Sequence, residues 1–157
     1  MRIELHRTYP VPRKVGFAYM TDPRHWPEWI GMELSDEKKV AWAKKGDKVP
    51  LRYRWMGVPL DGLGTLKKIV PGELVIAEFK VGPLPLTTFE NHWENAGAHA
   101  FSFTYTAEYD MPGGIVGKLL DTGLMIGPYL KRDMRLQLEK LGEVFMAMHE
   151  GKVEQIA

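Results

Sequence analysis

The chain has 157 residues, 45% of them apolar, with 21 lysines and arginines against 20 aspartates and glutamates and no cysteine. This composition excludes the disordered and collagenous classes, disulfides, a cysteine nucleophile and thiolate metal sites, and its near-zero charge balance gives no chain-wide pull toward nucleic acid or an anionic membrane. The length predicts one domain over 1–157, able to bury roughly 68–70% of its unfolded surface.

The opening Met1–Arg7 is too charged for a signal peptide, and the uncharged runs of the C-terminal half, Thr122 to Leu130 among them, are far too short to span a bilayer. A cytoplasmic protein without stable membrane insertion is expected; the sequence leaves its oligomeric state open.

Residues 2–9 read as a strand that ends at Tyr9-Pro10-Val11-Pro12, because proline cannot donate to a ladder. Pro12 suits the start of a helix whose stripe is Val15, Ala18 and Tyr19, ending near Thr21. Asp22-Pro23 then restarts the chain as a cap followed by proline, opening a second short helical stretch through Trp29. From Met32 to Tyr109 the period becomes two. Breaks at Lys45-Gly46-Asp47, Met56–Pro59, Pro71-Gly72, Gly82-Pro83 and Glu94–Gly97 delimit about six strands, joined as an antiparallel meander.

Alternation assigns the faces. Phe101, Phe103, Tyr105, Ala107 and Tyr109 share one side of the last strand. If Asn95-Ala96-Gly97 turns tightly, Phe89, Asn91 and Trp93 join them while Glu90, His92 and Glu94 face water. By the same rule Tyr53 and Trp55 oppose Arg52 and Arg54, and Val75, Ala77, Phe79 and Val81 oppose Glu78 and Lys80.

After Pro112-Gly113-Gly114 the period returns to helical. Leu130, Met134, Leu138, Leu141, Phe145 and Met148 predict an amphipathic helix over about 128–149. The apolar segment 115–127 before it carries Gly117, Gly123 and Gly127 and is followed by Pro128, which predicts a break there. Leu119, Leu120, Leu124 and Met125 would then form an adjustable wall, methionine adapting most easily. The sheet must bury its apolar face, and only the last helix is long enough to cover it.

These residues carry a family resemblance. Val11 through Trp29 resembles the opening signature of the START-like (helix-grip, SRPBCC) superfamily, in its polyketide cyclase/dehydrase-like branch. Gly62 to Phe79 with its central Val70-Pro71-Gly72, Phe103 to Gly114, and Leu130 to Leu141 match in order and spacing. The resemblance implies an α+β helix-grip fold: a curved antiparallel sheet of about seven strands around a long C-terminal helix, with two short helices after the first strand. It further implies an elongated apolar cavity, used across the family for lipids, sterols, polyketides, quinones or plant hormones. A minority of the family are enzymes, and no catalytic residue carries over.

The residues expected at a ligand are Trp29, Tyr53, Trp55, Phe79, Phe89, Asn91, Trp93, Phe101, Phe103, Tyr105, Leu120, Leu124 and Met125. Trp26 and Trp29 could plug the sheet's open end or line the mouth, and the inward aromatics could simply pack on the helix. Asn91 is an amide on an aromatic face, so it needs a partner: the hydroxyl of Tyr53 or Tyr105, water at a strand irregularity, or a ligand. If chemistry occurs, Asn91, Tyr105, Tyr53 and His99 are the candidate catalytic groups, His99 being the inward one that titrates near neutrality. No two histidines stand at a metal-ligand spacing, and no glycine-rich phosphate loop or dinucleotide fingerprint occurs, so no metal or cofactor is expected.

Three functions stay open: binding or transport of a hydrophobic or amphipathic small molecule, a metal-free cyclase or dehydratase acting on a carbonyl-bearing substrate, and a partner-binding module with a filled cavity.

Overall fold

The computed structural model describes residues 1–110 and 126–156. Seven strands form one antiparallel sheet in the order β1-β7-β6-β5-β4-β3-β2. They are β1 (Arg2–Tyr9), β2 (Met32–Leu34), β3 (Lys48–Trp55), β4 (Val58–Val70), β5 (Leu74–Val81), β6 (Thr87–Asn95) and β7 (Phe101–Tyr109). The helices are α1 (Arg13–Met20), α2 (Trp26–Trp29) and the C-terminal α3 (Ile126–Ile156). This is the expected α+β architecture, with short helices after the first strand and a long helix on the sheet.

Local chemistry explains the boundaries. Pro12 caps α1, and the Asp22 side chain accepts from the Arg24 amide (3.0 Å) to open the 3-10 turn Pro23–His25 that leads into α2. The β3–β4 hairpin turns on Met56 and Gly57, both with positive φ (50° and 81°), the geometry of a two-residue hairpin matched to strand twist. The β6–β7 register pairs Asn91 with Tyr105 and Trp93 with Phe103, so the odd residues of both strands do share a face.

Two expectations change. The stretch after Met32 contributes a strand of only three residues, and a 3-10 turn at Glu37–Lys39 and an irregular segment follow. The Asp47 carboxylate closes that segment by accepting from the amides of Ala43 (2.8 Å) and Lys44 (3.0 Å), bonds that also hold its pKa below the usual carboxylate range. Among the described residues the last helix runs from Ile126 to Ile156, so Gly127 and Pro128 lie within it and not before it. The expected first helical piece, with Leu119, Leu120, Leu124 and Met125, lies outside the described residues.

The closed end of the core is built on Gly16. A Cβ there would meet the Phe101 ring at 2.3 Å, so α1 approaches β7 only because this residue has none. Phe101 packs in turn on Tyr9 and Phe145 at ring separations of 5.5 and 5.6 Å, and the Tyr9 hydroxyl donates to the Leu138 carbonyl (2.8 Å). The part of α3 from Leu138 to Phe145 is thereby seated on β1 and β7. Burial raises the Tyr9 pKa, so it stays a neutral donor.

Candidate functional site

Under the first half of α3 the sheet is not filled. A cavity of about 110 Å³ lies between Ile126, Leu130, Met134 and Gln137 of α3 and the inner faces of β3, β5, β6 and β7, with α2 at its side. The alternation that faces Leu51, Tyr53 and Trp55 inward on β3 repeats as Val75, Ala77, Phe79 and Val81 on β5, and as Thr87, Phe89, Asn91 and Trp93 on β6. Strand β4 contributes space. Its inward positions Gly62 and Gly64 pair with Val81 and Phe79, and a Cβ on Gly64 would meet the Phe79 ring at 2.7 Å. Phe79 therefore lies back over β4 instead of filling the cavity.

The side wall is an aromatic cluster. Trp42, from the segment that Asp47 closes, meets Trp26 edge-on at 5.1 Å and Phe79 at 6.1 Å. The α2 turn that supplies Trp26 and Trp29 is tied to α1 by a hydrogen bond from the Tyr19 hydroxyl to the Glu28 carboxylate, over which His25 stacks on Tyr19 at 4.4 Å. Accepting that bond lowers the Glu28 pKa, while burial above all raises that of Tyr19. Beside the cavity, Tyr129 of α3 packs on the lining residue Trp55 at 4.4 Å.

Most polar groups on this wall are satisfied. Thr21 donates to the Phe17 carbonyl (2.7 Å), Thr87 to the Pro85 carbonyl (3.1 Å), the Trp26 indole to the Met20 carbonyl (3.0 Å) and the Trp93 indole to the Met20 sulfur (3.4 Å). The Tyr105 hydroxyl donates to Gln137 Oε1 (2.7 Å), whose Nε2 donates to Asp133 (3.3 Å). Burial raises the Tyr105 pKa, and burial lifts the Asp133 carboxyl to about 6 against the opposing pull of Gln137 and Lys140.

Three buried polar atoms are different. The Trp29 Nε1, the Tyr53 hydroxyl and the Asn91 Oδ1 have no hydrogen-bond partner among the described residues, and all three belong to cavity-lining residues. Trp29 and Tyr53 are only 3% and 9% exposed, so bulk water does not compensate them. The expected internal bond from Asn91 to Tyr53 or Tyr105 is not made: Tyr105 bonds across to α3, and Tyr53 sits on β3, beyond β5 and β4.

The structure places Trp29, Tyr53, Trp55, Phe79, Phe89, Asn91, Trp93 and Tyr105 on the cavity wall. It removes three expected residues from it. Phe101 and Phe103 face inward but are fully buried in the closed end, Phe101 against Phe145 and Phe103 against Trp93. His99 is exposed in the β6–β7 turn, because the loop between Asn95 and Phe101 is longer than a tight turn and carries it off the inner face. Glu90 and His92 pair with each other (3.4 Å) on the solvent side of β6. Trp42 and Gln137 were missed: the first lies in a stretch read as strand that is in fact irregular, and the second is a polar residue three positions after Met134 on the buried stripe, which is the signal that could have revealed it.

Among the described residues, no charged side chain lines the cavity, no cluster of three or more histidines and carboxylates could hold a metal, and no helix is long and apolar enough to cross a membrane.

No family model matches the chain, and no curated protein matches it by sequence. Solved structures do match. The chain is similar to the Zhui aromatase/cyclase from Streptomyces sp. R1128 (TM-score 0.72, 11% identity, 98% of this chain and 95% of that one). It is similar to a protein from Arthrobacter aurescens (TM-score 0.73, 12% identity, 93% and 86%) and to the Aha1 dimer from Colwellia psychrerythraea (TM-score 0.59, 12% identity, 92% and 96%). At these identities the likeness establishes the helix-grip-like fold, and function is argued from the site.

Proposed function

We propose that the protein binds a hydrophobic or amphipathic small molecule in the cavity under α3 and acts as its carrier. One observation supports this above all: an aromatic-walled cavity that holds three buried polar atoms with no partner among the described residues. Leaving such atoms unpaired costs roughly 1–3 kcal/mol each, a cost a ligand with matching groups removes. The similarity to an aromatase/cyclase supports testing aromatic ring systems among the candidate cargoes.

The cyclase or dehydratase reading finds less support. Proton transfer at neutral pH needs a group poised near it, and His99 stands outside the cavity. Tyr105 is inside, but its raised pKa makes it a hydrogen-bonding phenol and a poor acid or base.

Thermal shift of the purified protein against quinones, sterols, polyketides and fatty acids, paired with mass spectrometry of its organic extract, tests the proposal. A ligand at 100 times its Kd adds about 2.7 kcal/mol, a readily visible shift. No shift from any compound and an empty extract would overturn the reading.

A further inference from the structure

The three unpartnered atoms differ in what they can accept or give. An indole Nε1–H only donates, a phenol can do both, and an amide oxygen only accepts. They also sit at two ends. Trp29 closes α2 three residues before Met32, whose register partner is Tyr53, so these two share the β2–β3 side of the cavity. Asn91 stands on β6, three strand spacings away, about 14 Å along the sheet and less between side chains that both reach inward. The wall between them is apolar, and the described lining holds neither a cation for a carboxylate nor an anion for an amine. A charged ligand enclosed there would give up its hydration without a counter-charge. The free volume, about 110 Å³, is on the scale of one aromatic ring, since an engineered cavity of about 150 Å³ takes benzene.

Resting on the carrier reading, we propose that the cavity selects an uncharged, ring-sized molecule with an acceptor oxygen at the Trp29–Tyr53 end and a hydroxyl donor at the Asn91 end. A hydroxyaryl ketone has this chemistry. A fatty acid or an aryl carboxylate does not, and such an anion is rejected although its apolar part fits.

Calorimetric titration with four probes of nearly one shape tests this at slightly acidic pH, where a phenol is neutral and a carboxylate ionised: 4′-hydroxyacetophenone, 4′-methoxyacetophenone, acetophenone and 4-hydroxybenzoate. The hydroxy ketone is expected to bind about tenfold more tightly than the methoxy ketone, the scale of one buried hydrogen bond made or missed, and the benzoate most weakly. Asn91→Leu should erase the hydroxy–methoxy difference while acetophenone still binds. Trp29→Phe and Tyr53→Phe should each weaken all three ketones equally. A thermal midpoint no lower than wild type in each variant separates these effects from misfolding. Equal affinity for all four probes, or tightest binding of the benzoate, would overturn the selection rule and leave the carrier reading standing. Binding of none would likewise overturn the selection rule, while the carrier reading falls only with the thermal-shift panel and the extract.

Discussion

The Tyr129 hydroxyl, in the first turn of α3, accepts a hydrogen bond from the Met56 amide at the tip of the β3–β4 hairpin (2.9 Å). The same ring covers Trp55, a residue of the cavity wall, so one side chain joins helix and hairpin beside the cavity. Tyr129→Phe keeps the ring contact and removes the acceptor, at about 0.5–1.5 kcal/mol. Association and dissociation of 4′-hydroxyacetophenone should both accelerate, with Kd held within about threefold. Stopped-flow rates equal to wild type would show that the ligand does not enter past this contact.

Tyr53→Phe should stabilise the empty protein. The phenol oxygen is buried without a partner among the described residues, so deleting it removes a desolvation cost and leaves the ring packing intact. A gain of about 1 kcal/mol in denaturant unfolding is expected, together with weaker ketone binding. A loss of stability would mean that the hydroxyl has a partner.

Gly16→Ala sets two effects against each other. Within a helix, alanine is favoured over glycine by about 1 kcal/mol. The new Cβ, however, would lie 2.3 Å from the Phe101 ring, itself wedged between Tyr9 and Phe145. Overpacking of this kind costs about 1–3 kcal/mol, so net destabilisation is expected, and Phe101→Leu in the same chain should recover part of it. A more stable Gly16→Ala protein would contradict the packing described for the closed end.

Asp133 predicts a pH dependence. Its folded pKa of about 6 lies above its ordinary value of 3.8, so between those values the folded chain keeps a proton that the unfolded chain has lost. This contribution is full below about pH 4 and is lost as the pH rises through 6. Because the carboxyl is only partly buried, solvent screening reduces the effect to about 1 kcal/mol. Asp133→Asn should lack this fall, so urea midpoints at acidic and neutral pH should differ less in the variant. Parallel wild-type and variant profiles would show that Asp133 titrates normally.

The meander, its faces and the C-terminal helix were legible because each rests on a local period: Phe101 to Tyr109 by alternation, Leu130 to Phe145 by helical spacing. The fate of individual inward aromatics was not. Phe79 and Phe101 look alike in the sequence, yet Gly64 on the neighbouring strand lets one lie back from a cavity, while Gly16 and Phe145 enclose the other in solid core. Those neighbours are distant along the chain, so no window of the sequence joins them. Trp93 shows the consequence. It lines the cavity but also packs on Phe17 and Phe103, so Trp93→Ala would cost about 3–5 kcal/mol of core and report on folding as much as on binding.

The indole N–H resonances of the five tryptophans offer the most direct test of ligand binding at the unpartnered atoms. In ¹H–¹⁵N spectra of the empty protein, assigned with Trp29→Phe, the Trp29 signal should lie upfield of the hydrogen-bonded Trp26 signal, whose indole donates to the Met20 carbonyl. Saturation with 4′-hydroxyacetophenone should move the Trp29 signal downfield as the ketone oxygen accepts its proton, with Trp26 moving little. A Trp29 signal already at the bonded position in the empty protein, or one unmoved by saturating ketone, would contradict a ligand held at these atoms.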